Sequence, residues 1–223
     1  MQYRTCAAAL VLAAMLGGCA KDQHQGTEAP PPGTAFEQIK DPPIAAETHF
    51  AAGQLAESRG GFDDAIRQYR LALLLDKNHV PSLYRLGCTY AQLKRYPEAV
   101  ETWNRYIKAT DGSPDGYSDL AFTQELAGDP AAAEMNYKNG IARDPRNEAC
   151  RVNYGLMLAR HGRIGEATIE LQAVLPPAQV HYNLANVHEL QHRNDLAKVE
   201  YRKAIALDPK FADARTKLAS LGE

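Results

Sequence analysis

The feature that most constrains this chain is a segment of 34 residues that recurs five times after Ala46. The copies are seen by aligning GGFDDAIRQYRLALLLDK with KRYPEAVETWNRYIKATD and RNDLAKVEYRKAIALDP, each with an alanine after a polar turn. These alanines are Ala65, Ala99, Ala133, Ala167 and Ala197, separated by steps of 34, 34, 34 and 30 residues. A recurring period of about this length indicates an array of similar supersecondary units.

Each copy contains the pattern of two helices joined by a turn. A small residue precedes each alanine by twelve positions, at Gly53, Gly87, Ala121, Gly155 and Ala185. Two small residues at that separation allow paired helices to approach closely, and Gly60-Gly61 and Gly128-Asp129 mark turns between them. We expect the large residues four positions after the alanines to fill the space toward the neighbouring pair. They are Tyr69, Trp103, Tyr137, Leu171 and Tyr201.

This pattern resembles the tetratricopeptide repeat, whose units are helix–turn–helix pairs of ~34 residues. The resemblance implies an all-α fold, a right-handed superhelical solenoid of about five helix pairs plus a C-terminal capping helix, over residues 46–223. The expected units are 46–79, 80–113, 114–147, 148–177 and 178–211, and the expected cap is 212–221. Unit four lacks four residues and ends at Pro176-Pro177, so its second helix should be short.

The N-terminus has the order of a secretory signal. Arg4 precedes an apolar run of about fifteen residues, which is shorter than the ~20 needed to cross a hydrocarbon core. The run ends in Leu16-Gly17-Gly18-Cys19, which resembles the bacterial lipobox. That resemblance implies removal of residues 1–18 and acylation of Cys19; a plain signal peptide with an incidental cysteine is the alternative. Ala20 after the cysteine implies a lipid anchor in the outer membrane, facing the periplasm.

The segment that follows has little to bury. Residues 19–45 contain five prolines among Gln, Gly, Thr and charged residues. Such a composition favours a disordered tether between the lipid and the repeats.

Composition excludes several classes of function. The net charge is −2, so no basic field is available for nucleic acid. The chain has no glycine-rich phosphate loop, paired-acid motif or Ser-His-Asp arrangement, and we expect neither enzyme activity nor a cofactor. Cys88 and Cys150 fall in the first helices of units two and four, which are not adjacent in the stack. Packed helices lie ~8–10 Å apart, whereas a disulfide needs Cα atoms within ~7 Å. We therefore expect that these two cysteines do not pair with each other.

One stretch matches a catalytic motif. HELQH, from His188 through Glu189 to His192, fits the HExxH pattern of zinc hydrolases, which needs both histidines on one helical face. In the repeat frame His188 packs between helices and His192 begins a turn. A zinc metallohydrolase is the alternative of another class, but we expect no metal.

The resemblance also implies a binding surface. In this family the first helices line a concave groove that holds a peptide or an amphipathic helix, through their fifth, ninth and twelfth positions. Burial of some of these residues between units is the alternative. The implied groove residues are Phe50, Gln54, Glu57, Tyr84, Cys88, Phe122, Glu125, Val152, Leu156, Tyr182, Asn186 and Glu189. The glutamates should favour a partner with nearby Lys or Arg.

The combination of signal, acyl cysteine and repeats resembles the lipoproteins of pilus and secretion assembly, including type IV pilus pilotins and the tight-adherence pilus lipoprotein. That resemblance implies a membrane-anchored protein-binding scaffold that places an outer-membrane secretin. An adaptor for cell-envelope enzymes is the alternative within the same class.

Overall fold

The computed structural model describes residues 45–222, so the predicted signal sequence, Cys19 and nearly all of the tether lie outside the described residues. Within that range the chain forms eleven α-helices and no strand. The helices are α1 Ala46–Ser58, α2 Phe62–Leu75, α3 Val80–Gln92, α4 Tyr96–Ala109, α5 Pro114–Leu126, α6 Pro130–Arg143, α7 Glu148–Arg160, α8 Ile164–Gln172, α9 Pro177–Leu190, α10 Asn194–Leu207 and α11 Ala212–Ser220. None of these helices is long and apolar enough to cross a bilayer.

The helices stack in sequence order. Each packs against the next along the chain, which makes five pairs followed by α11. We call α1, α3, α5, α7 and α9 the A helices and their partners the B helices. The A helices α5, α7 and α9 also contact one another in succession. The predicted all-α solenoid with a final capping helix is therefore confirmed.

The five turns between A and B helices share one conformation. In each turn one residue has a positive φ, and the next amide donates to a carbonyl five residues earlier, as Gly61 does to Ala56 at 2.9 Å. This arrangement satisfies carbonyls that the end of the A helix leaves open. The positive-φ residues are Gly60, Lys94, Gly128, Gly162 and His192. In units two and five, Lys94 and His192 thus adopt the left-handed conformation that a glycine adopts in the other three turns.

The small residues of the A helices accommodate the large residues of the B helices. A Cβ added at Gly87 would lie 2.8 Å from the ring of Trp103, and one added at Gly53 would lie 2.5 Å from Tyr69. The large side chain therefore packs within its own unit, onto the small residue twelve positions before the alanine. Trp103 also reaches the next unit, where its Nε1 donates to Thr123 Oγ1 at 3.1 Å. The expectation that these residues fill the space toward the neighbouring pair described only part of their packing.

Unit four differs from the others as its missing residues predict. Its B helix, α8, has 9 residues, whereas α2, α4, α6 and α10 each have 14. The next helix begins at Pro177, one residue before the expected start of unit five. Proline is well suited to the first helical position, where its missing amide hydrogen would have no helical acceptor.

Candidate functional site

The twelve predicted groove residues differ in accessibility. Nine of them leave part of the side chain open to solvent: Phe50, Gln54, Glu57, Tyr84, Phe122, Glu125, Val152, Asn186 and Glu189. Cys88, Leu156 and Tyr182 are buried, with 3%, 6% and 8% of their surface exposed, and they belong to the apolar clusters between helices. The structure brings all twelve onto the A helices, and their role in binding stays a prediction.

Aromatic rings support the accessible part of unit two. The ring of Tyr84 lies edge-on to Trp103 at 5.6 Å between centroids and is tilted against Tyr106 at 5.7 Å. Tyr84 is therefore held on its inner side by a packed cluster while its outer side remains accessible. In unit five the equivalent Tyr182 lies 4.9 Å from Phe211, which precedes the capping helix. The last aromatic of the series is thus largely covered within the chain.

The three predicted groove glutamates already have cationic partners in the chain. Glu57 binds Arg85 of unit two at 2.7 Å, and Glu125 binds Arg160 of unit four at 2.6 Å. Glu189 binds Lys217 of the capping helix at 2.9 Å. Each pair joins one unit to the next, so these carboxylates stabilise the stack. A basic partner residue would have to compete with them, which weakens the predicted preference at these three positions.

Tyrosines of the B helices extend two of these ion pairs. Tyr69 donates its hydroxyl to Glu57, and Tyr201 donates to Glu189, both at 2.6 Å. In unit three the equivalent Tyr137 hydroxyl and one oxygen of Glu125 are buried without a hydrogen bond among the described residues. The same three-residue arrangement is therefore complete at both ends of the stack and incomplete in the middle.

Asp119 is a candidate binding residue on α5 that the repeat positions did not predict. It occupies the sixth position of α5, is partly accessible, and its carboxylate makes no hydrogen bond or ion pair with the described residues. Burial, and after it the charge of Asp115, raises the pKa of Asp119 to about 7. A comparison of the sixth position across units could have identified it, because Arg85 stands there in unit two and Lys217 in the cap.

The HELQH stretch is not arranged as a zinc site. Helix α9 ends at Leu190, and His192 lies in the following turn with a φ of 58°. His188 is buried at 7% exposure, and burial lowers its pKa. Glu189 is bound to Lys217. The predicted end of the helix before the second histidine is confirmed, and no group of three His, Cys, Asp or Glu residues between 45 and 222 is placed to hold a metal ion.

Cys150 is a packing residue of α7. It is fully buried and free, and its Sγ donates to the carbonyl of Pro114 at 3.1 Å. Burial raises the pKa of its thiol to about 12, which disfavours the nucleophilic thiolate. The prediction that Cys150 does not pair with Cys88 is confirmed.

Comparison with protein families identifies the repeat. A model described as tetratricopeptide repeat matches residues 50–114 and 127–181, and a second model with the same description matches residues 178–211. The Hsp70-Hsp90 organizing protein of Triticum aestivum is 32% identical over 102 residues, which cover 46% of this chain and 16% of the wheat protein. The chain thus matches only a small part of that relative.

Solved structures share the fold at low sequence identity. YrrB, described as a TPR protein with an unusual peptide-binding site, is 22% identical with a TM-score of 0.54, covering 77% of this chain and 90% of YrrB. PilF of Pseudomonas aeruginosa is 17% identical with a TM-score of 0.57, covering 80% of this chain and 83% of PilF. At these identities the similarity supports the fold alone.

Proposed function

Because the chain belongs to the tetratricopeptide repeat family, we propose that it is a non-enzymatic scaffold that holds a segment of another protein in its concave groove. The observation that carries this proposal is the row of partly accessible apolar residues on successive A helices, at Phe50, Tyr84, Phe122 and Val152. Apolar and aromatic anchors at helical spacing suit an amphipathic helix laid into a groove. The similar protein YrrB, described as peptide-binding, supports the same class of function.

The test of the groove replaces Tyr84 and Phe122 together with alanine. The bait is the purified chain, and the readout is a crosslinked pull-down from an envelope extract of the source organism. We expect capture of the partner to fall at least about tenfold, since buried aromatic anchors carry most of the binding energy of such interfaces. The helical circular dichroism should be unchanged.

A matched control comes from the B helices. Met135→Ala and Ile169→Ala remove apolar side chains that are 57% and 65% exposed outside the groove positions. These variants should retain capture. Unchanged capture by the groove variant would contradict the proposal, and loss of its helical signal would mean that Tyr84 and Phe122 belong to the core.

We further propose that Cys19 carries a lipid that holds the repeats at the outer membrane, facing the periplasm. The small residues Gly17 and Gly18 before Cys19, together with the short apolar run, support this assignment. Since multiple acyl chains anchor a protein stably, Cys19→Ser should move the protein from the membrane pellet to the soluble fraction and abolish labelling by palmitate. A Cys6→Ser variant is the control, and sedimentation of Cys19→Ser with the membrane would contradict the anchor.

The specific role that we propose is in pilus or secretion-system assembly, with the repeats binding a partner that is placed in the outer membrane. The fold shared with PilF and the order of signal, cysteine and repeats support this role by analogy. The pull-down distinguishes it from an adaptor for envelope enzymes. A pilus or secretin component among the captured proteins supports the role, and a peptidoglycan enzyme in its place supports the alternative.

A further inference from the structure

The ion pairs between units follow a positional pattern. In units one and five the twelfth residue of the A helix is a glutamate, and it binds the sixth residue of the next unit or of the cap. Glu57 binds Arg85 at 2.7 Å, and Glu189 binds Lys217 at 2.9 Å. In each pair the glutamate also accepts a hydrogen bond from a tyrosine on the B helix of its own unit. In unit two and in the cap, the sixth position therefore carries the cation of a bridge to the preceding unit. Units four and five have Asn153 and Asn183 at this position, and Glu125 of unit three binds Arg160 instead.

Between units two and three the same positions carry different residues. The twelfth residue of unit two is Ala91, and the sixth residue of unit three is Asp119. The bridge thus loses its glutamate, and its cation is replaced by a carboxylate. Arg85 is already engaged by Glu57, and Asp115, one turn before Asp119 on α5, accepts a hydrogen bond from Asn147 at 2.9 Å. Asp119 therefore has an unpaired carboxylate at the position where unit two and the cap place a paired cation.

The surroundings of Asp119 suit a cation. After burial, the charge of Asp119 is the next cause that raises the pKa of Tyr84, and it also contributes to the raised pKa of Tyr106. The two phenol rings contact each other at 5.7 Å between centroids, and the ring of Tyr106 packs onto α5 at Gly116, one turn before Asp119, where an added Cβ would lie 2.8 Å from the ring. A carboxylate beside aromatic rings offers a cation both an opposite charge and the negative face of a ring. Tyr137, Cys150 and Asp115 also interact with Asp119, and none of them supplies a positive charge. Arg85, which acts on Tyr84, is held by Glu57.

We infer that Asp119 receives a lysine or arginine side chain of the protein segment bound in the groove, at the junction of units two and three. The inference rests on the proposed function and adds to it the chemistry of the partner: an apolar segment with one basic residue. A basic side chain placed there would give Asp119 the charge partner that Arg85 and Lys217 give to the glutamates. A protein segment is the occupant because Tyr84, one of the accessible apolar positions of the predicted groove, contacts Tyr106, and Tyr106 packs onto the helix of Asp119.

The first experiment tests the cation site without any partner. The carbon resonance of the Asp119 carboxyl is titrated with pH in the full chain, with N-acetyl-arginine-methylamide as the probe at about 0.1 M and sodium chloride at equal ionic strength as the reference. We expect the arginine probe to lower the pKa of Asp119 by about 0.5 or more, since a neighbouring cation favours the ionised form. The resonance of the exposed Asp63 on α2 is the control. Equal titration of Asp119 in both solutions would overturn the inference.

The second experiment separates this inference from the proposed function. A phage library of random peptides of about twelve residues is selected on the wild-type chain and on Asp119→Asn, with Asp63→Asn as the matched control. We expect wild type and Asp63→Asn to enrich peptides with a fixed Lys or Arg at least about fivefold over Asp119→Asn. Selection of peptides with no basic preference would overturn the inference and leave the scaffold proposal standing. Failure of wild type to select any peptide would contradict both.

Discussion

Replacing Asp119 with asparagine should raise the free energy of unfolding by roughly 2–4 kcal/mol at about pH 8. The pKa of Asp119 is raised from 3.8 to about 7 in the folded chain, chiefly by burial. The folded state therefore binds a proton that the unfolded state has released between these two values. Stability is lost as the pH rises through this window, because the carboxylate must then ionise without a partner. Asparagine has a similar shape and no charge, so it removes this cost.

The same substitution should have little effect in acid. Near pH 4 Asp119 is protonated in the folded chain and about two-fifths protonated in the unfolded chain, so the gain should fall below about 1 kcal/mol. Urea unfolding followed by circular dichroism at both pH values gives the comparison. The control Asp63→Asn removes an exposed carboxylate and should change stability by less than about 0.5 kcal/mol at either pH. A gain that is equal at both pH values would mean that charge is not the cause.

Trp103→Ala should lower the free energy of unfolding by about 3–5 kcal/mol, the range for removing a fully buried tryptophan. Trp103 is 2% exposed and packs onto Gly87 within its unit. It also joins units two and three through its hydrogen bond to Thr123. The cavity left by the alanine substitution would therefore lie at the junction of these two units. Thr123 Oγ1 keeps its own bond to the carbonyl of Asp119, at 2.8 Å, so no hydroxyl hydrogen is left unsatisfied.

The control for this substitution is Leu74→Ala on α2. Leu74 is 76% exposed, so its replacement should change stability by less than about 0.5 kcal/mol. Urea unfolding by circular dichroism measures both variants, because the substitution removes the chain's single tryptophan and with it the main fluorescence signal. A loss of less than about 1 kcal/mol for Trp103→Ala would contradict the packing of this ring between Gly87 and Thr123.

The periodic sequence was sufficient to predict the helix pairs. Period and turn residues are local properties, and they located the A and B helices, the short α8 and the helix end before His192. They did not predict that Lys94 would adopt the same left-handed turn conformation as the glycines. The hydrogen bonds of the turn stabilise that conformation, and they form only when both helices are in place.

The tertiary structure determines which groove residues are accessible and which charges are paired, because both depend on how neighbouring units pack. Cys88 and Tyr182 occupy groove positions in the repeat frame, yet contacts with other helices bury them. The partners of Glu57 and Glu189 lie 28 residues further along the chain. Side chains so far apart in sequence meet only through the offset between stacked units, which a local pattern of apolar residues does not encode.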